Sequence, residues 1–300
     1  MKIIVGSRGS NLALTQTKMV MDQIKATNPE VEFELKVIKT KGDIFKDTPI
    51  DKLGGKEIFI KEIEKELLDE TIDMAVHSMK DMPGELPEGL KLSHSPERED
   101  HRDVLVLKEG LKSIDDIPKG GKIGTGSKRR KYQILNHRPD LNVVGIRGNI
   151  ETRINKIETE NLYGVILAAS GIHRLGLQLG ERAIYLDNEV LLSSPTQGIL
   201  AIEIRENDEK MDKILKSISH SKTEIQAKVE RAFLKEAGGS CNIPVGAYCE
   251  VKDNEIFLEG LLGTDDGEIL IRKSITGDLD SLESLGQSLA RDIVKEMNRA

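Results

Sequence analysis

The stretch Ile72-Asp73-Met74-Ala75-Val76-His77-Ser78-Met79-Lys80-Asp81-Met82-Pro83-Gly84 decides the fold class. Residues 72–79 form a short, mostly apolar run bounded by turn signals, the pattern of a strand buried on both faces. The run then turns polar and closes on Pro-Gly, the mark of a loop. Upstream, residues 56–70 carry apolar side chains at 58, 60, 63, 67 and 68, close to helical spacing. Further upstream lie a strand at 2–5 (KIIV), the loop GSRGS, a helix over 11–26 that Ser10 or Asn11 can cap, and a second strand at 33–40. Strands alternating with amphipathic helices predict a mostly parallel sheet covered by helices.

Downstream, SPEREDHRD (95–103) is a charge-dense break that reads as a solvated linker. The α/β pattern then restarts, with strands at 104–107, 122–126, 142–146 and 163–169 and a helix over 150–160. This predicts a second α/β domain. From about 222 the style changes. A helix over 223–237 stops at Gly238-Gly239. Strands follow at 245–251, 255–263 and 268–275, with Asp266-Gly267 as a hairpin signal, and a helix over 279–298 ends the chain. This predicts a small α+β domain with a three-stranded antiparallel sheet.

Composition narrows the function classes. A hydrophobic content of 38% and a charged content of 32% describe a globular protein. The sequence has no apolar run of the roughly 18 residues that a membrane span needs. The N-terminus MKIIVGSRGS has no apolar signal region, so a cytoplasmic location is expected. A net charge of −7, no Trp and 3% aromatics speak against a nucleic-acid surface. Two cysteines make no disulfide framework.

The two cysteines differ in pattern. Cys249 alternates with Val245, Ala247 and Val251 on one strand face and reads as core. Cys241 stands in the loop GGSCNIPVG, next to a helix C-terminus whose dipole does not favour a thiolate. The residues alone leave both an idle loop thiol and a reactive one open. Asp81, where a buried strand ends, reads either as a turn residue or as a carboxylate aimed into a cleft. Lys80 is a solvated charge or an anion contact, and His77 a hydrogen-bonded core residue. Arg8, Arg129, Arg130, Arg147, Arg153 and Arg174 all follow strands or open helices, where helix N-termini already favour anions. Six such positions point to a polyanionic ligand across the sheet ends. GTGSKRR lacks the third glycine of a dinucleotide fingerprint, and GGKEIF has Glu57 where a P-loop needs Ser or Thr. There is no HExxH and no CxxC, so no metal site is expected.

Taken in order, GSRGSNLAL, GDIFKDTPIDKLGGKEIFIKEIE, DMAVHSMKDMP, EREDHRD, GTGSKRR, PDLNVVGIRGNIETR, LAASGIHRLGL and SCNIPVGAY make the chain resemble the porphobilinogen deaminase (hydroxymethylbilane synthase) family from end to end. The resemblance implies two solute-binding-protein-like α/β domains, 1–96 with 199–217 and 102–193, plus a third domain over 221–300. It implies a dipyrromethane cofactor held by a thioether at Cys241, with Asp81 as the catalytic carboxylate. Four porphobilinogens are joined to that cofactor with loss of ammonia, and water releases hydroxymethylbilane. Arg8, Arg129, Arg130, Arg147, Arg153 and Arg174 match carboxylate binders. Ser10, Lys80, Thr125, Ser127 and Asn149 match supporting contacts, and Lys52 and Lys56 a mobile loop. The family implies a monomer. Glu57, SPTQG (194–198) and Ser240 depart from the usual family pattern. The rival readings are a small-anion binder without catalysis and a thiol acyltransferase using Cys241 with His173 or His220. A binder needs neither Cys241 nor a third domain.

Overall fold

The structure, a computed structural model, describes residues 1–40, 60–238 and 243–299. Lys52, Lys56, Glu57, Ser240 and Cys241 lie outside the described residues. The chain divides into two compact units, Met1–Glu99 with Gly198–Ala227, and Asp100–Gln197 with Lys228–Ala300.

The first unit is built on a five-stranded sheet of order β2-β1-β3-β10-β4. Its strands are β1 (Lys2–Arg8), β2 (Glu32–Ile38), β3 (Met74–Ser78), β4 (Leu90–Leu92) and β10 (Leu200–Arg205). Helices α1 (Asn11–Thr27) and α2 (Lys61–Leu68) follow β1 and precede β3. One core joins Ile3, Val5, Met74 and Val76 to Val20 and Ile24 of α1. A separate cluster gathers Ile38, Ala75 and Ile72 with Ile63 and Leu67 of α2. The alternation of buried side chains along β1 and β3 feeds both, as expected for strands covered on two faces.

The second unit repeats that plan without repeating the sequence. Its five-stranded sheet has the order β7-β6-β8-β5-β9. The strands are β5 (Asp103–Leu107), β6 (Lys122–Gly124), β7 (Asn142–Val144), β8 (Gly164–Ala168) and β9 (Ala183–Leu186). Helix α3 (Lys128–His137) follows β6, α4 (Ile150–Thr159) follows β7, and α5 (Ala169–Arg174) follows β8. After α6 (Glu209–Leu215) and α7 (Ser221–Glu236) comes the antiparallel sheet β11 (Val245–Lys252), β12 (Glu255–Gly263) and β13 (Leu270–Asp278), then α8 (Leu282–Met297). Gly286 of α8 approaches α7 so closely that a Cβ there would lie 2.4 Å from the Val229 carbonyl oxygen. Only glycine permits that approach.

The sequence predicts mostly parallel sheets. The observed large sheets are mixed. β1 pairs in parallel with β2 and β3, but β10 runs antiparallel to β3 and β4. In the second sheet β6 pairs in parallel with β7 and β8, while β5 runs antiparallel to β8 and β9. The reversed strands, β5 and β10, are the ones that follow the first two of the three passages of the chain between units. A strand entering by such a passage is not delivered by a local β-α-β crossover and is free of its parallel constraint.

Gly198, at the second passage, has φ +92°, and a Cβ there would stand 2.2 Å from the Glu99 carbonyl oxygen. The Glu99 amide in turn donates to the Gly198 carbonyl at 3.1 Å. Gly198→Ala combines a left-handed backbone with a backbone clash, so a loss of roughly 2–3 kcal/mol is expected. It should appear as a lower urea midpoint at an unchanged m-value.

Candidate active site

In the first unit, β1 and β3 are parallel neighbours, with Val5 opposite Met74 and Gly6 opposite Ala75, so both end on the same sheet edge. Arg8 closes β1 and is half-buried. Ser10 caps α1, its Oγ accepting the Ala13 amide at 3.3 Å. β3 passes into a single 3-10 turn, Met79–Asp81, which carries Lys80 and Asp81, both half-buried. The turn is pinned from two sides. The Met79 amide donates to the Ile199 carbonyl at 3.0 Å, and Gln16 Nε2 to Ser78 Oγ at 3.0 Å. His77 is buried with Nε2 3.0 Å from Glu203 Oε2, the core histidine the sequence suggests.

In the second unit, β6, β7 and β8 run parallel and end on one edge. Thr125 and Ser127 follow β6, and Arg147 and Asn149 follow β7. The two loops touch: the Thr125 amide donates to the Val144 carbonyl at 2.9 Å, and a Cβ on Gly126 would lie 2.9 Å from the Ile146 carbonyl oxygen. Ser127 caps α3, accepting from the Arg130 amide at 3.4 Å, and Asn149 caps α4, accepting from the Thr152 amide at 2.8 Å. Three residues expected as ligand contacts, Ser10, Ser127 and Asn149, thus hold helix N-termini at the sheet edges, where the helix dipole favours an anion. Arg147 is exposed, and Arg153 donates from Nε to the Gly148 carbonyl at 2.8 Å. Arg174 is the last residue of α5, roughly 8 Å along the helix from the end of β8 rather than just after it.

Arg129 and Arg130 are almost fully buried, at 5% and 7% exposure. They flank Asp103, which the sequence reading passed over and which has no exposed surface. Arg130 donates to Asp103 Oδ1 from Nε at 2.9 Å and from Nη2 at 2.6 Å, and to the Ile166 carbonyl from Nη1 at 2.9 Å. Arg129 donates from Nη1 to the Leu192 carbonyl at 2.7 Å and places the same nitrogen 2.8 Å from Asp103 Oδ2, an ion contact outside hydrogen-bond alignment. Gln197 Nε2 donates to Asp103 Oδ1 at 3.0 Å and to the His101 carbonyl at 2.7 Å. Burial pulls Arg129 below the usual guanidinium range, with Asp103 opposing.

Burial alone would raise the Asp103 carboxyl. The charges of Arg129 and Arg130 outweigh it and hold the group far below the usual carboxylate range. Its unfolded value is about 4, so this ion cluster stabilises the fold above that pH and its contribution is lost as pH falls below it. Asp103→Asn should therefore be less stable at neutral pH by roughly 3–5 kcal/mol, because it leaves buried cations without their counter-charge. The gap to wild type should narrow when urea unfolding is repeated below about pH 4.

The SPERED segment is not a solvated linker. Ser95 and Pro96 are buried, Arg102 binds Asp100 through Nη2 at 2.7 Å, and Asp103 opens β5 inside the protein. The departure SPTQG also has a structural use. Thr196 has φ +58°, its amide donates to Glu230 Oε2 at 2.5 Å, and Glu230 Oε1 accepts the Cys249 amide at 2.8 Å. A fully buried carboxylate on α7 thus ties this loop to β11. Cys249 is itself buried in β11, as its alternation predicts. The segment holding Cys241 is bracketed by Gly238, at φ +88° beyond the end of α7, and by Ile243 ahead of β11. Among the described residues no cluster of His, Cys, Asp and Glu could hold a metal ion, and no helix is long and apolar enough to cross a membrane.

Two mixed α/β sheets whose strand ends and helix N-termini carry cationic side chains define a class of protein suited to multiply charged anions. The relatives narrow that class. Residues 3–213 match the family model described as porphobilinogen deaminase, dipyromethane cofactor binding domain, and residues 225–295 match porphobilinogen deaminase, C-terminal domain. The chain is 55% identical over 300 residues to the porphobilinogen deaminase of Clostridium novyi (strain NT), covering 99% of this chain and 100% of that one. It is 54% identical to that of Clostridioides difficile (strain 630), covering 99% and 98%. A solved structure of a probable amino-acid ABC transporter extracellular-binding protein from Bacillus subtilis aligns at TM-score 0.44 and 10% identity, covering 72% of this chain and 90% of that one. The chain belongs to the porphobilinogen deaminase family, transferases of hydroxymethylbilane synthesis.

Proposed function

We propose that the chain joins four porphobilinogen molecules head to tail on a dipyrromethane held by Cys241, releasing ammonia at each condensation, and then hydrolyses the product free as hydroxymethylbilane. The observation that carries this reading is the donor set on the β6–β7 edge of a chain that matches both family models. Each pyrrole of substrate and cofactor bears an acetate and a propionate. Arg129, Arg147 and Arg153, beside the capped N-termini of α3 and α4, are the donors that suit carboxylates. Among the described residues Arg129 has partners for Nη1 only, so Nε and Nη2 remain for a ligand oxygen. This donor chemistry fits the cofactor. When bound, the cofactor supplies the pyrrole carbon to which units are added.

In this reading Arg8, Arg130 and Arg174 complete the carboxylate contacts. Lys80, Ser10, Thr125, Ser127 and Asn149 support them, and Lys52 and Lys56 belong to a covering loop. Asp81 is the catalytic carboxylate. The enzyme acts as a cytoplasmic monomer, without nucleic acid, and is divided into three domains over 1–96 with 199–217, 102–193 and 221–300.

The test is the intact mass of the purified protein and its turnover of porphobilinogen. The expected result is a covalent excess of two pyrrole units, together with ammonia and hydroxymethylbilane as products. Folded protein whose mass stays bare after incubation with porphobilinogen would overturn the reading in favour of a non-catalytic anion binder.

A further inference from the structure

The opening of α3 is electrostatically unfavourable on its own terms. Lys128, Arg129 and Arg130 occupy its first turn, where the helix dipole disfavours cations, and no acidic residue stands among them. Two of these cations are buried, and one carboxylate, Asp103, lies between them. The Arg129–Asp103–Arg130 cluster therefore keeps one net positive charge inside the protein. A buried net charge is costly unless an anion joins it. The second observation is geometric. Arg129 is 5% exposed, is held at Nη1 by Asp103 and the Leu192 carbonyl, and has no partner at Nε or Nη2 among the described residues. Those two nitrogens form the side-on fork that receives a carboxylate bidentately.

We infer that Asp103 is a positioning residue for the ligand's carboxylates: it aligns Arg129 and Arg130 side by side, fixes the Arg129 fork, and leaves the pair one positive charge for the ligand to neutralise. The inference rests on the reading above, in which the ligand is a carboxylated pyrrole chain. Gln197 and Gln133 brace the arrangement. Gln197 donates to Asp103 Oδ1 at 3.0 Å, and Gln133 exchanges hydrogen bonds with the backbone of Leu192, whose carbonyl holds Arg129. Asp103 touches no ligand in this account and acts through the two arginines.

The experiment compares intact masses of wild type, Asp103→Asn and Leu105→Ala, purified identically. Leu105 lies on the same strand with its side chain in the hydrophobic core, so its truncation destabilises the unit without touching the arginines. The expected result is that the fraction carrying the two-pyrrole excess falls about 30-fold or more in Asp103→Asn, the loss associated with breaking a buried charge pair at a binding site, and is unchanged in Leu105→Ala. Equal loading in folded Asp103→Asn and wild type overturns the inference, and so does equal loss in both variants, which would make the effect one of stability. Should Asp103→Asn not fold, Asp103→Glu keeps the charge and displaces the arginines. A KM for porphobilinogen raised about tenfold supports positioning, since small misplacements of binding groups are costly, and wild-type KM and loading overturn it. A bare wild-type mass is a different outcome, which removes the cofactor reading itself and the inference with it.

Discussion

Asp81→Asn is expected to lower kcat by about 10²- to 10⁴-fold, the range for removing an acid–base or charge-stabilising group from a water-poor site. The physical reason lies in the substrate. When porphobilinogen loses ammonia, the bond between its aminomethyl carbon and nitrogen breaks, the amine leaves carrying a proton, and the ring is left electron-poor and cationic. A carboxylate beside that ring accepts the pyrrole N–H and opposes the developing charge. An amide of the same shape can accept a hydrogen bond but carries no charge, so Asp81→Asn separates electrostatics from shape. Asp81→Ala removes both and should be no better. Neither change should cost much stability, because Asp81 is half-buried at the end of a three-residue turn beyond the sheet. That turn is anchored by the hydrogen bonds of Met79 and Ser78 and by the Met79 side chain, which is buried in an apolar cluster with Ile199 and Ala201. Melting temperatures within a few degrees of wild type are therefore expected alongside the loss of turnover. Near-normal turnover in either variant would remove Asp81 from the mechanism.

The legibility of this site in the sequence follows from what each feature depends on. Periodicity is local, so β1, β3, β8 and the helices α1 and α4 lie within a few residues of their predicted spans. Strand direction is not local. β5 and β10 show the same apolar runs whether they enter a sheet parallel or antiparallel, and the mixed topology was hidden for that reason. Exposed cations at strand ends were legible, and Arg147 stands where the pattern puts it. Burial of Arg129 and Arg130 was not, because nothing in GTGSKRR reveals that a carboxylate 26 and 27 residues upstream of them reaches both. A signal did exist. Asp103 heads the apolar run VLVL, and a charge at the mouth of a buried strand needs a partner. Ser10, Ser127 and Asn149 were read as ligand contacts from resemblance. Their spacing to the helices that follow also marks them as caps, and capping is compatible with the proposed contact role, since each caps with a side-chain oxygen at the edge where an anion is favoured. Thr196 lay beyond reach: a left-handed threonine is set by Glu230 and the loop around it, not by its own preference.

Cys241→Ser should abolish covalent loading altogether, whereas Cys249→Ala should leave it intact. The two residues share a side chain and differ in the sequence setting that governs thiol reactivity. Cys249 is fully buried in β11, with its amide given to Glu230. A buried thiol in such a place is a small hydrophobe, and its truncation to Ala costs stability of about 1–2 kcal/mol by lost packing while leaving the chemistry alone. Cys241 belongs to a glycine-flanked stretch between the end of α7 and the start of β11, where no strand alternation assigns it to a core. A free thiol of pKa about 8.5 is a few per cent thiolate at neutral pH and attacks an electron-poor methylene carbon readily. A serine hydroxyl has no comparable ionised fraction, so the substitution removes the nucleophile at almost no cost in volume. The Cys241→Ser protein should fold, show the bare mass, and stay bare on incubation with porphobilinogen. Because Cys241→Ser and Cys249→Ala each leave one thiol in place, the pair assigns the bond: an excess that persists in Cys241→Ser and vanishes in Cys249→Ala would move the attachment into the sheet and sink the reading of the loop. An excess that persists in both would show that neither cysteine alone is required for the bond and would remove the assignment to Cys241.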